Sequence, residues 1–339
     1  MLCFECHNHE GKKYENVMIN GEFKKEAYLC LRCSFNFCRC ELCRNCFKVN
    51  ELYISCYNLL ICKECSSKLS VCKICNKFIT DNFKTDYENV CFNCFKHPIS
   101  QYSYKPEPVF HLDENDTDNI FMGVELEVGG CDKIENVNNF CRSHFDDISD
   151  KLLYFKSDCS IPAYGVEIVS HPCSLKFHEN KLGWNKIMKD LSLYKINSRR
   201  GCGMHVHVNK DILTEKDNRN IDLFFYNNFE FMRNFTGRNP NYYCYRANKH
   251  NDGWGKSMNR YQMINFMGKN TIEFRIFSST FCYNTFIERL QLVHSLINFI
   301  KTISVWENNK TVAEYASYIF NNKDKYNLLY KKAKARKIF

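Results

Sequence analysis

The stretch FMGVELEV, residues 121–128, alternates strictly between apolar and polar positions. Successive side chains of a β-strand point to opposite faces, so the alternation predicts a strand with one apolar face. Glu125 and Glu127 then share the other face, about 7 Å apart. Two carboxylates so placed repel each other unless a cation or a basic group lies between them. Alone, a Glu-x-Glu of this kind is usually a solvated strand face, so its meaning depends on the rest of the sequence.

Two further segments repeat this construction. MHVHV places His205 and His207 on one face of a predicted strand and its apolar residues on the other. TIEFRIF does the same with Glu273 and Arg275. Histidines that alternate along a strand converge on one point, as is typical of metal or phosphate sites.

A fourth segment, YFKSDCSIPAYGVEIVSHP, adds Asp158 and, after a turn, Glu167. If these strands are neighbours, their shared polar face carries four glutamates, two histidines and an arginine. Carboxylates with a few imidazoles suit a hard divalent cation that also binds phosphates, with the arginine neutralising developing charge. A closed zinc site is less consistent with this face, because no cysteine pair accompanies the histidines.

The order of these motifs resembles the amidoligase family and, behind it, glutamine synthetase. The motifs are GVELEV, GVEIVSHP, GCGMHVHVN, an arginine in NRYQMIN, and TIEFR, and they span roughly residues 120–300. The resemblance implies an α+β fold in which an antiparallel sheet with packed helices forms an ATP funnel holding two or more Mg²⁺ or Mn²⁺ ions. It also implies an ATP-dependent ligase that joins a carboxylate to an amine through an acyl phosphate.

The resemblance assigns metal ligands residue by residue. Glu125 and Glu127 would bind metal from the first strand. Glu167 would complete one metal site, and His205 and Glu273 would join Glu125 at the other.

The resemblance also assigns residues that act on the nucleotide. His207 would contact an ATP phosphate, while Arg275 and secondarily Arg260 would stabilise the transferring phosphoryl group. Asp158 precedes the Glu167 strand, as an acidic residue often does in the family.

Fifteen of the 22 cysteines lie before residue 95 and form a repeated pattern. In the first module, at the N-terminus, two C-x-x-C pairs are separated by 23 residues. In the second and third modules the two pairs are separated by 15 residues. Two such pairs close a tetrahedral zinc site without an open position, and a closed site is structural. The sequence therefore predicts about three zinc ions in zinc-ribbon-like modules. The predicted ligands are Cys3, Cys6, Cys30, Cys33, Cys43, Cys46, Cys62, Cys65, Cys72, Cys75, Cys91 and Cys94.

The middle module has an alternative first pair. Cys40 with Cys43 is also a C-x-x-C, but Cys43 with Cys46 reproduces the 15-residue spacer of the neighbouring module and is preferred. Cys38, Cys40 and Cys56 are left over in this scheme.

Composition shifts divide the chain. A proline-rich and then polar segment, with Pro98, Pro106 and Pro108, reads as a linker. Helical periodicity follows at 176–193 and 214–235, the latter capped by Thr214 and Asp217, and again at 286–304. The predicted divisions are a cysteine-rich region 1–96, a linker 97–119, a catalytic domain 120–330 and a basic tail 331–339.

The formal charge of +9 does not by itself indicate a nucleic-acid-binding protein. Residues 1–96 carry +3, and three zinc ions held by twelve thiolates would bring that region to −3. The excess lies in KKAKARK near the end of the sequence. We therefore expect a protein, peptide or amino-acid substrate, with nucleic acid a less favoured partner.

Cysteine pairs without a basic, apolar leader favour a cytoplasmic metalloprotein over a secreted disulfide scaffold, and no apolar run suggests a membrane span. Two other functions stay open. One is a protein- or nucleic-acid-binding protein whose second domain is a non-catalytic scaffold. The other is a metal-dependent hydrolase that uses the same carboxylates and histidines without nucleotide.

Overall fold

Contacts divide the chain into a cysteine-rich unit, Met1–Pro98, and a sheet unit, Ile99–Phe339. The structure is a computed structural model that describes residues 1–114, 116–117, 119–161, 164–197, 201–241, 244, 259–303 and 311–338. Each unit is described by itself.

The cysteine-rich unit consists of short hairpins and single-turn helices. Its strands form a four-stranded sheet, β2-β1-β4-β3, and two hairpins, β5-β6 and β7-β8. Each of the three helices begins directly after the first cysteine of a C-x-x-C pair. The strands are β1 (Lys12–Ile19), β2 (Glu22–Leu29), β3 (Phe37–Arg39), β4 (Cys46–Lys48), β5 (Leu52–Ile54), β6 (Leu60–Cys62), β7 (Ser70–Val71) and β8 (Phe78–Ile79); the helices are α1 (Leu31–Ser34), α2 (Lys63–Ser66) and α3 (Phe92–Lys96).

The sheet unit contains six antiparallel strands in the order β10-β11-β9-β12-β14-β13. The antiparallel sheet with helices agrees with the mixed α and β content predicted from the sequence. Its strands are β9 (Met122–Val128), β10 (Leu153–Lys156), β11 (Val166–Ser170), β12 (Gly203–Asn209), β13 (Ile264–Asn265) and β14 (Thr271–Ser278). Its helices are α4 (Ile134–Ser143), α5 (Phe145–Ser149), α6 (Leu175–Asn180), α7 (Trp184–Leu193), α8 (Glu215–Asn227), α9 (Phe229–Thr236), α10 (Tyr283–Lys301), α11 (Val312–Asn321) and α12 (Asn327–Ala335).

One apolar core joins the sheet to the helices. The apolar residues of β9, β12 and β14 are fully buried and belong to the same cluster as those of α7, α8 and α10. α10 is buried over most of its surface and contacts α6, α7, α8, α11 and α12. The polar residues that alternate with the buried ones on β9 and β12 therefore lie on the opposite side of the sheet.

The predicted helices are present, but two of them are divided. The stretch 176–193 forms α6 and α7, separated at Gly183, whose φ of 75° lies in the left-handed region that favours glycine. The stretch 214–235 forms α8 and α9, separated at Asn228. The capping box of Thr214 and Asp217 is confirmed.

Segments outside the main elements also pair with the sheet unit. Ser100 forms a β-bridge with Lys156, and His111 forms one with Cys173. Residues 331–335 of the basic segment belong to α12. None of the described helices has the length and apolarity that crossing a membrane requires.

Candidate metal centres

Three groups of four cysteines come together in the cysteine-rich unit. Within each group, the four sulfur atoms lie within 4.8 Å of one another, so each group can hold a zinc ion. The groups are Cys3, Cys6, Cys30 and Cys33; Cys40, Cys43, Cys62 and Cys65; and Cys72, Cys75, Cys91 and Cys94.

The second group corrects one predicted ligand, because it contains Cys40 in place of Cys46. Cys46 lies in β4, where it pairs with Val17 and Arg39 and is buried in the core of the first module. The two modules therefore do not align by the 15-residue spacer.

Backbone conformation explains the choice of Cys40. The residue after each first pair has a positive φ, 56° at His7, 62° at Arg44 and 56° at Asn76, and its N–H donates to the carbonyl of the first cysteine. This turn brings the two sulfurs of a pair together. The residue after Cys46 is Phe47, which is part of an extended strand and cannot close such a turn.

Hydrogen bonds to sulfur repeat between the second and third groups. The N–H of Cys62 donates to Cys40 Sγ at 3.4 Å, as the N–H of Cys91 does to Cys72 Sγ. Burial alone would raise the pKa of Cys40, but backbone N–H donors around its sulfur lower it to about 7. The thiolate is the metal-binding form, so the backbone donors favour that form at Cys40, whereas burial raises the pKa values of Cys43 and Cys65 in the same group.

In the sheet unit, polar side chains are in register across the strands. Glu167 is the cross-strand partner of both Lys156 and Glu127. Glu125 stands opposite His205 on the next strand pair. The strand order thus places these residues together on the side of the sheet away from the core.

The register continues across β12, β14 and β13. His207 pairs with Glu273, and Glu273 pairs with Asn265, whose Nδ2 donates to Glu273 Oε2 at 2.8 Å. Asn265 was missed in the sequence, because nothing there shows that the two-residue β13 lies beside β14.

A β-bulge positions Arg275. β14 carries one extra residue opposite His205, so Ile276 and Phe277 are both buried although they are adjacent in sequence. Arg275 stays on the polar side, where its guanidinium forms an ion pair with Glu273.

Five of the predicted ligands, together with Asp158, converge in two groups of three. Donor atoms within each group lie within 4.8 Å of one another. We call them the His205 group (Glu125, His205 and Glu273) and the Asp158 group (Glu127, Asp158 and Glu167).

The His205 imidazole contacts both groups. Its Nδ1 lies 3.4 Å from Glu125 Oε2 and 3.4 Å from Glu273 Oε1, while its Nε2 lies 3.9 Å from Glu127 Oε1. Nε2 is buried and has no hydrogen-bond partner in the part of the chain that the structure describes. This unpartnered nitrogen faces Glu127 of the Asp158 group, whereas Nδ1 is the atom placed to bind an ion together with Glu125 and Glu273.

His207 lies at the edge of the His205 group, with Nε2 3.4 Å from Glu125 Oε2. Burial would lower the pKa of His207, but the charge of Glu125 raises it to about 9. Burial would raise the pKa of Glu125, but the charge of His207 holds it well below its usual value. Without a metal ion, protonated His207 supplies positive charge beside Glu125. A divalent cation bound there would supply that charge instead.

Lys156 is the main residue that the sequence analysis missed. Its Nζ lies 3.0 Å from Glu167 Oε2, and both side chains are buried. Burial, together with the charge of Glu125, nevertheless raises the pKa of Glu167 to about 8. The alternation of YFK in the sequence would have placed Lys156 on a polar face, but not beside Glu167.

Glu127 is held by the backbone of β12. The Gly203 N–H donates to Glu127 Oε2 at 2.5 Å. A side chain at Gly203 would meet Arg238 Nη1 at 2.7 Å and His205 Nε2 at 3.0 Å. A larger residue at this position would therefore press on Arg238 and His205.

Arg260 lies apart from the two groups in its described contacts. It is exposed, with its guanidinium 5.1 Å from the centre of the Tyr261 ring. A hydrogen bond with Tyr102 raises its pKa.

No protein-family model matches the sequence, and a search of curated proteins gives no significant match.

The donor sets themselves indicate which ions fit. The Asp158 group offers only carboxylates, which Mg²⁺ and Mn²⁺ prefer, and the His205 group adds one imidazole, which Mn²⁺ accepts readily. Five carboxylates face three positive side chains, Lys156, Arg275 and His207, so the two groups together keep an excess of negative charge. The residues present therefore fit divalent cations in both groups.

Proposed function

We propose that the sheet unit is an ATP-dependent carboxylate–amine ligase that forms an amide through an acyl phosphate. The observation that carries the proposal is the adjacent placement of the His205 group and the Asp158 group on one face of an antiparallel sheet, with Arg275 beside them. Two divalent cations held in adjacent groups of this kind are suited to binding a polyphosphate. The order of the sequence motifs, which resembles that of the amidoligases, supports the same reaction class.

The proposed chemistry needs no covalent nucleophile from the protein. An acceptor carboxylate oxygen attacks the γ-phosphorus of ATP and ADP leaves; the amine nitrogen then attacks the acyl carbon, phosphate leaves and the amine loses a proton. The work of the protein is to align and neutralise phosphates. Bound divalent cations would supply most of that neutralisation.

Positively charged side chains beside the ligands have defined parts in this proposal. Arg275 would release Glu273 in part to bind the transferring phosphoryl group, and His207 would contact another phosphate oxygen. Arg260 would approach from the side of Tyr102. We extend the proposal to peptide or amino-acid substrates, with the cysteine-rich unit as a docking element for a protein substrate.

The first test is nucleotide binding by calorimetry with Mn²⁺. We expect the full chain to bind Mn·ATP and the Glu125→Gln and Glu127→Gln variants to lose at least about tenfold in affinity, or 1.4 kcal/mol. Glu230→Gln, at an exposed glutamate of α9, is the matched control and should bind as the parent does. Equal affinity in all four proteins would overturn the proposal.

The second test detects the acyl phosphate. Hydroxylamine replaces the amine and converts an acyl phosphate to a hydroxamate, so a pool of amino acids and peptides can serve as acceptors. Hydroxamate and ADP should form together, require Mg²⁺ or Mn²⁺, and disappear in Glu127→Gln. Cleavage of substrates without nucleotide would instead assign the same groups to a metal-dependent hydrolase.

A further inference from the structure

A fifth thiol lies against the third cysteine group. Cys56 Sγ is 3.7 Å from Cys75 Sγ, and it also interacts with the thiol of Cys91. With Zn–S bonds of about 2.3 Å, two ligand sulfurs of a tetrahedral site stand about 3.8 Å apart. Cys56 is therefore at ligand spacing from Cys75 and interacts with Cys91, while it lies outside the set of four sulfurs that are all within 4.8 Å of one another.

The protein holds Cys56 in this place through the turn between β5 and β6. Its N–H donates to the Phe78 carbonyl at 3.0 Å, next to a β-bridge between Ser55 and Phe78. The following residue, Tyr57, stacks on Phe83 with ring centres 3.7 Å apart. Because the turn is fixed on the third module, Cys56 needs little rearrangement to reach a metal there.

We propose that the third group is a five-thiol site, in which Cys56 can replace Cys75 as the fourth ligand of zinc or of another thiophilic divalent cation. Zinc accepts four thiolates in a closed site, so one of the five sulfurs is a free thiol at any moment. In the exchange, the bond from zinc to Cys75 breaks, the bond to Cys56 forms, and the Cys56 proton passes to Cys75. No oxidation or reduction takes place. This inference does not depend on the proposed ligase activity.

The test measures zinc per chain in the full-length protein. Cys43 is the matched control, because it holds the same place in the second group as Cys75 does in the third, and both are exposed. Cys43→Ser should lower the zinc content from about three ions to about two. Cys75→Ser and Cys56→Ser should each keep about three, and the double variant should fall to about two. Loss of one zinc ion in Cys75→Ser would overturn the proposal.

Alkylation of the unmodified chain gives a second measurement that does not depend on a variant folding. Zinc-bound thiolates resist iodoacetamide, and peptide mass spectrometry reports each cysteine separately. We expect Cys56 and Cys75 each to be labelled in part, while Cys43 is protected. Complete labelling of Cys56 with complete protection of Cys75 would show a fixed four-ligand site and overturn the exchange.

Discussion

Lys156 Nζ lies 3.0 Å from Glu167 Oε2, and this buried pair borders the Asp158 group. The ammonium opposes the rise in the pKa of Glu167 that burial and the neighbouring carboxylates produce. Lys156 thus provides, from within the chain, part of the positive charge that a divalent cation would bring.

Replacing this lysine should make the stability of the sheet unit depend on metal. Lys156→Met removes the ammonium that stabilises the charged form of Glu167, whose pKa burial already raises to about 8, so the ion pair is lost and a divalent cation takes over that role. We expect a lower free energy of unfolding without metal and a larger stabilisation by Mn²⁺ than in the parent. Urea unfolding with and without Mn²⁺ measures both quantities.

A second ion pair, buried at its glutamate, gives the control for this experiment. Lys332 Nζ lies 2.8 Å from Glu288 Oε1, between α12 and α10. Lys332→Met should also destabilise the protein, but Mn²⁺ should not restore the loss. If Mn²⁺ stabilises both variants by the same amount, Lys156 has no specific role at the metal site.

The two glycines that face the polar side of the sheet should differ in their tolerance of alanine. A Cβ at Gly203 would meet Arg238 and His205 within 3.0 Å, whereas at Gly123 its nearest contacts are at 3.8 Å. Gly203→Ala should therefore cost about 1–3 kcal/mol through overpacking and weaken Mn²⁺ binding, because His205 and Glu127 must move. Gly123→Ala should change neither quantity by much. Mn²⁺ titration followed by electron paramagnetic resonance compares the two variants, and equal affinities would contradict the close approach at Gly203.

The alternation in three strands was sufficient to predict which residues of each strand lie on its polar side. Side-chain period two is a local property of the backbone, so Glu125, Glu127, His205 and Glu273 could be assigned without knowing the strand order. The place of Lys156 could not, because it depends on β10 lying beside β11. The bulge at Arg275 also depends on pairing with a distant strand.

The cysteine spacing predicted how many groups form but not every member. Counting residues favoured Cys46, whereas the turn conformation at Arg44 selects Cys40. A positive φ at arginine is uncommon, and nothing in the sequence signals it. Local backbone geometry, which spacing alone does not encode, decided the ligand.

This correction can be tested by zinc content. Cys40→Ser removes a member of the second cysteine group and should lower the zinc content from about three ions to about two. Cys46→Ser should keep about three ions, although the loss of a buried apolar contact in the first module will lower stability modestly. The opposite pattern would restore Cys46 as the ligand.

His178 should make the stability of the sheet unit fall at acid pH. Its Nε2 donates to the Met122 carbonyl at 2.7 Å, and its Nδ1 accepts from Trp184 Nε1 at 3.1 Å, so the ring must be neutral. Burial lowers the pKa of His178 to about 4. Above pH 6.5, the usual pKa of histidine, this group costs no unfolding free energy. Between pH 6.5 and about pH 4 the unfolded chain binds a proton at this histidine and the folded chain does not, so the free energy of unfolding falls.

Between pH 6.5 and pH 4, His178 alone should lower the free energy of unfolding by about 1.4 kcal/mol per pH unit, or roughly 3 kcal/mol in all. His171, whose pKa burial also lowers to about 4, adds a similar slope. His178→Gln should therefore reduce the slope of unfolding free energy against pH between about pH 6.5 and pH 4 by one proton, leaving the slope of His171. Urea unfolding followed by tryptophan fluorescence measures the slope, since Trp184 is buried beside His178. An unchanged slope in His178→Gln would mean that the folded protein accepts the proton and that the Trp184 hydrogen bond does not enforce the neutral ring.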